Sequence, residues 1–129
     1  MTEPSAAALV RAVIDAIDAA EAELAAMPFF VRPMVKRGLA SRTGRSFADW
    51  RRDLAAAAAA IARGGDAAAV RRADDALVAD LERLADNFRG APERARRGMG
   101  NDPRVAAEVQ ARADVRDAAT RALLSWLRA

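Results

Sequence analysis

Cysteine, histidine and tyrosine are all absent from this chain, and lysine occurs once, at Lys36. Without cysteine there is no disulfide, no thiolate metal site and no thiol redox chemistry, and the redox compartment stays open. Without histidine and tyrosine, the usual general base, the commonest metal ligand and the phenolic acid are missing, so most enzyme mechanisms lose their central residue. The Glu-x-x-His pairs of di-iron helical bundles are excluded for the same reason. No apolar run approaches the roughly 20 residues that cross a bilayer. The opening Met1-Thr2-Glu3-Pro4-Ser5 also lacks the basic region and apolar stretch of a secretory signal. The expectation is a cytoplasmic protein.

What is present bounds the fold. A chain of 129 residues fits one domain, 1–129, long enough to bury a core if its helices pack together. Hydrophobic residues make up 53%, but alanine supplies much of that, so close helix packing has to substitute for bulky side chains. The excess of arginine over lysine, together with the alanine, points to a GC-rich bacterial genome.

Apolar spacing gives the helices. Ser5 opens a segment in which Leu9, Val10, Val13, Ile14, Ile17 and Leu24 recur at helical intervals, predicting a helix over about 5–26 that stops at Pro28. Pro33, Gly38 and Gly44 predict a short or broken helix over 33–43. Ser46 with Asp49 reads as a capping box opening a helix over 46–63, whose alanine run lets a neighbouring backbone approach. Val70, Ala73, Leu77, Leu81, Leu84 and Phe88 predict a helix over 66–89. A basic loop follows, marked by Gly90, Pro92, Gly98, Gly100 and Asn101, and Asp102-Pro103 opens a last helix over 103–128. The fold expected is all-α: an antiparallel bundle of four long helices, with the short or broken helix inserted between the first and second.

Charge is partitioned along the chain. The net +3 resolves into −4 over residues 1–31, +6 over 32–52, −3 over 53–88, +3 over 89–98 and +1 over 99–129. Residues 27–52 hold seven cations, Arg32, Lys36, Arg37, Arg42, Arg45, Arg51 and Arg52, against Asp49, together with Phe29, Phe30, Phe47 and Trp50. This segment, and with it the basic loop at 89–97 that carries Arg89, Arg94, Arg96 and Arg97, reads either as an anion-binding surface or as solvated arginines paired with acidic helices. Phe29 and Phe30 are adjacent and cannot both face a helical interior, since neighbours point about 100° apart. They are either a partner contact or a wedge that plugs one end of the bundle.

Candidate chemistry is sparse. Asp15, Asp18 and Glu21 fall at three-residue steps suited to a divalent ion, but they lie off the apolar stripe, as do Asp74, Asp75 and Asp80, and solvated faces explain both sets. Ser5, Ser41, Ser46 and Ser125 have no histidine to activate them. The pairs Gly64-Gly65 and Gly98-x-Gly100 match no phosphate loop. Leu123, Leu124, Trp126 and Leu127 close the core or anchor a partner. No catalytic residue, metal ligand or cofactor is assigned.

The run Ala22-Glu23-Leu24-Ala25-Ala26-Met27-Pro28-Phe29-Phe30-Val31-Arg32, with Val35-Lys36-Arg37, resembles a motif in the C-terminal module of the light-independent protochlorophyllide reductase B subunit. In that family a leucine, a proline, two phenylalanines, a valine and an arginine precede a basic helix. The resemblance covers about 16 of the 129 residues, and Pro33, Gly38 and Gly44 depart from what the family continues as helix. It implies a helical cap near a hydrophobic ligand or a partner subunit and transfers no activity.

These observations leave catalysis open and favour a non-enzymatic binding module. It would take an anionic macromolecule, nucleic acid included, or a partner protein, through Phe29, Phe30, Arg32, Lys36, Arg37, Arg42, Arg45, Trp50 and Arg51. One alternative is a small-molecule site or enzyme with a hydrophobic pocket lined by Phe29, Phe30, Trp50 and Leu54, with Arg32 or Arg37 at its mouth. Another is a structural homo-oligomer joined through the apolar stripe of the fourth or fifth predicted helix.

Overall fold

The computed structural model describes residues 3–99 and 102–129, and among them every regular element is a helix. Helix α1 (Ala6–Ala22) starts where the Ser5 side chain accepts the Ala8 N–H at 3.1 Å, and it buries Val10, Val13, Ala16 and Ile17 along one face. It tightens into a 3-10 turn at Glu23–Ala26 before Pro28 ends the run. Helix α2 (Arg32–Thr43) follows, and α3 (Phe47–Ala62) begins at a complete Ser46/Asp49 capping box. Then come α4 (Ala67–Ala73), α5 (Leu77–Arg89), α6 (Ala91–Met99) and α7 (Pro103–Arg128), the last opened by Asp102 and Pro103 as expected.

One core joins them. Val13 and Ile17 of α1, Trp50 and Leu54 of α3, Leu81 and Leu84 of α5, and Leu123 and Leu127 of α7 are all essentially inaccessible. Helix α7 lies against α1, α4, α5 and α6, while α1 lies against α3 and α2 against α5. Leu123, Leu124 and Leu127 close the core with Trp126 packed partly against it. Of the alanine run in α3 only Ala57 is buried, with Ala58 and Ala60 partly so; the others face solvent and contribute helix propensity instead.

Three boundaries differ from the sequence reading. The element at 33–43 is a continuous helix: Pro33 sits in the first turn, where its missing N–H is not needed, and Gly38 is accommodated in mid-helix. Only Gly44, at φ +88°, ends it. The segment 66–89 is two helices, because Asp74 at φ −145°, ψ 88° leaves the helical region between α4 and α5. The basic loop at 89–98 is the helix α6, with Pro92 again in a first turn and Glu93 pairing with Arg96 and Arg97. The loop markers Gly100 and Asn101, and the opening Met1 and Thr2, lie outside the described residues.

Candidate interaction surface

The nine residues singled out in the basic, aromatic segment divide into three groups. The first is an exposed tip. Between the 3-10 turn and α2 the chain makes a tight turn, closed by the Val31 N–H donating to the Pro28 carbonyl at 3.0 Å. Met27 before it and Val35 after it pack against the core and fix its base. Arg32 reaches back, donating Nε to the Met27 carbonyl and Nη2 to the Ala25 carbonyl, each at 3.1 Å. Those are carbonyls that the ending helix leaves unpaired, so Arg32 serves the turn rather than an outside ligand.

This clamp presents Phe29 and Phe30 to solvent at 78% and 68% exposure, with Met34 beside them at 64%. The two rings stack edge to face, centroids 5.8 Å apart and planes at 88°. Lys36 and Arg37 are exposed on the same helix and carry no ion pair among the described residues. No acidic residue occurs between positions 24 and 48. By helical spacing Arg37 lies on the Met34 side of α2 and Lys36 on the other, so the exposed apolar tip adjoins a helix that carries two exposed cations.

The second group is internal. Arg45 is buried and held by three carboxylates: Asp74 through Nη1 and Nη2 at 2.7 and 2.9 Å, Asp53 at 2.8 Å and Asp80 at 2.9 Å. Its guanidinium also lies 5.1 Å from the centre of the Trp50 ring, a cation–π geometry. The indole N–H of Trp50 donates to the Thr43 hydroxyl at 2.9 Å, and that hydroxyl donates to the Leu39 carbonyl at 2.8 Å. The hydrogen bond donated to Asp74, then burial opposing it, and then the one donated to Asp80 set the Arg45 guanidinium; the net direction is upward, and Asp74 is held below its ordinary value by Arg45. Arg45 and Trp50 thus join α2, α3 and the α4–α5 break from within, and neither is available at the surface.

The third group is tied along the surface. Arg51 bridges α3 to α1 through Asp18, at 2.9 Å, and Glu21. Arg52, counted among the cations of the segment, pairs with Asp53 and Asp49. Arg42 extends to Asn87 on α5. The cations of residues 32–52 consequently do not form one face.

The expected pocket between Phe29, Phe30, Trp50 and Leu54 is absent among the described residues. Trp50 and Leu54 are sealed in the core while both phenylalanines stand outside it, since the tight turn carries them away from α3. The same exposure overturns the reading of Phe29 and Phe30 as a core plug. A cleft of about 330 Å³ lies instead between α3 and α4, walled by Ala56, Ala57, Ala60 and Ala73, with Arg45, Asp53 and Asp74 at one side. No group of three metal-ligating side chains in the described residues could hold an ion. Asp18 and Glu21 are taken by Arg51, and Asp74 and Asp80 by Arg45. The apolar stripes of α5 and of the C-terminal half of α7 pack inside the chain.

No helix among the described residues is long and apolar enough to cross a membrane. No protein family, curated protein or solved structure gives a significant match to the chain.

Proposed function

We propose that this protein is a non-enzymatic binding module whose contact surface is the Phe29–Phe30–Met34 tip with Lys36 and Arg37 on the adjoining helix, and whose partner is a protein with an apolar pocket and an acidic rim. The observation that carries this reading is the pair of phenylalanines held out at 78% and 68% exposure by an internal clamp. Large apolar side chains that stay exposed next to one another are unusual on a monomer surface, and aromatic residues, methionine and arginine are enriched where proteins meet. The acid-free stretch from 24 to 48 gives the partner its sign. With this reading goes an antiparallel arrangement of α1, α3, α5 and α7 as the scaffold behind the tip.

A nucleic-acid partner is a poorer fit. Phosphate tracking needs several unpaired cations along one surface, and among the described residues only Lys36 and Arg37 of the segment's cations lack an internal partner. Photo-crosslinking tests the proposal: benzoylphenylalanine at position 30, compared with position 115, where Val115 is equally exposed on α7. The reading requires one protein adduct from position 30 and none from 115, and binding of that protein, once purified, that falls in Phe29→Ser/Phe30→Ser. Equal adducts from both positions would sink it, as would binding of the intact chain to anionic vesicles or to duplex DNA that the double substitution abolishes.

A further inference from the structure

At the junction of α2, α5 and α6, away from the tip, two arginines converge on one neutral side chain. Arg42 donates Nε to Asn87 Oδ1 at 2.7 Å, and Arg94 donates Nη2 to the same oxygen at 3.3 Å and to the Asn87 carbonyl at 2.6 Å. The acids nearest in sequence are engaged elsewhere: Glu93 faces Arg96 and Arg97, and Asp86 faces Arg121. Among the described residues neither Arg42 nor Arg94 has a carboxylate within ion-pair distance. Burial holds both guanidinium groups below their ordinary value, and for Arg94 the charge of Arg42 adds to it.

The backbone makes room for this arrangement. Each arginine lies back over a glycine four residues earlier: a Cβ at Gly38 would stand 2.8 Å from Arg42 Nη1, and a Cβ at Gly90 would stand 2.9 Å from Arg94 Nη1. Two like charges brought together in partly desolvated surroundings repel each other. Arg45 and Arg116, by contrast, meet carboxylates, while the partly buried Arg32 and Arg71 meet backbone carbonyls. Here the charge is left for something outside the chain to balance.

We propose that Arg42, Arg94 and Asn87 form a binding site for a phosphate group. Among the described residues Arg42 spends only Nε and keeps both Nη groups, Arg94 spends only Nη2, and the Asn87 amide nitrogen meets no acceptor. The uncommitted donors come from three helices rather than from one planar fork, which suits a tetrahedral anion, and the two positive charges match a phosphate dianion better than a carboxylate. Arg42 lies ten residues beyond Arg32, about 15 Å along α2, so the site is separate from the aromatic tip.

The test is calorimetric titration and thermal unfolding of the full chain at constant ionic strength, with inorganic phosphate and phenyl phosphate as probes and acetate as the carboxylate control. Phosphate should raise the melting temperature with concentration while acetate does not. Arg42→Gln and Arg94→Gln should each weaken binding about tenfold or more, the loss of one charge-assisted contact. Arg63→Gln, which removes an exposed arginine at the end of α3 with no ion pair among the described residues, should leave the response unchanged. Binding of both probes assigns the site to a phosphoryl group carried by a larger molecule, and binding of inorganic phosphate alone assigns it to the free anion. The proposal is overturned by no phosphate response in the intact chain, by an undiminished response in the Arg42→Gln/Arg94→Gln double variant, or by an equal response to acetate.

Discussion

Arg45 grips Asp74 through two guanidinium nitrogens, Nη1 to Oδ2 at 2.7 Å and Nη2 to Oδ1 at 2.9 Å, and Asp74 is the residue at which the helical run from 67 to 89 breaks. The break turns the Asp74 carboxylate toward α2, where Asp53 and Asp80 also converge on Arg45. Removing the cation leaves three partly desolvated carboxylates facing one another. Arg45→Met should therefore lower unfolding stability by about 3 kcal/mol, at the low end for breaking a buried ion pair because Asp74 and Asp53 keep some solvent contact. Urea unfolding followed by circular dichroism measures it, and a loss below about 0.5 kcal/mol would mean the hub is an ornament of the surface.

The same pair predicts a pH dependence. The hydrogen bond from Arg45 holds the Asp74 carboxyl below its ordinary value of 3.8 in the folded chain. The unfolded chain then binds that proton more readily, so the contribution of Asp74 is complete above about pH 3.8 and disappears as pH falls through the lower, folded value. Asp74→Asn should cost about 2 kcal/mol at pH 7, the scale of a charge-assisted hydrogen bond. Its deficit against the intact chain should shrink as pH falls below 3.8. Urea titrations of both proteins at stepped pH decide the matter, and a deficit constant with pH would show that Asp74 acts through helix geometry alone.

Thr43 carries a separate load. Its hydroxyl accepts the indole N–H of Trp50, and both residues are fully buried. Thr43→Val keeps the shape but strands the indole donor, which should cost about 1–3 kcal/mol. Equilibrium unfolding is again the measurement. A neutral outcome would place the acceptor for the Trp50 N–H elsewhere.

The helices were legible because their signals are local. Apolar spacing, the Ser46/Asp49 box and Asp102-Pro103 placed α1, α3 and α7, and the all-helical class followed. The break at Asp74 was not legible: Ala73-Asp74-Asp75-Ala76 contains neither glycine nor proline, and the partner of its carboxylate is an arginine 29 residues earlier. Glycine and proline misled in the other direction at Pro33, Gly38 and Pro92, which sit at first turns or under a returning arginine side chain.

The contact surface was legible in part. Clustering of cations and aromatics picked out residues 27–52, but composition cannot say which arginines are spent within the chain. Arg45 is bound to carboxylates 8, 29 and 35 positions distant, Arg51 to carboxylates 30 and 33 positions distant, and Arg42 to an asparagine 45 positions away. Trp50 left the candidate surface for the core for the same reason. Arg94, which meets Arg42 on Asn87, was counted only as loop charge; the signal that could have marked it is the glycine four residues before each of the two arginines.

The most direct test of the central claim is the affinity of the crosslinked partner, once purified, for the intact chain and for Phe29→Ser/Phe30→Ser, measured by calorimetry at low and at high salt. Two aromatic anchors entering a pocket predict a loss of at least about 30-fold, equivalent to about 2 kcal/mol, that persists at high salt while the remaining Lys36 and Arg37 contribution is screened. An affinity unchanged by the double substitution, or one that salt alone abolishes, would contradict the account.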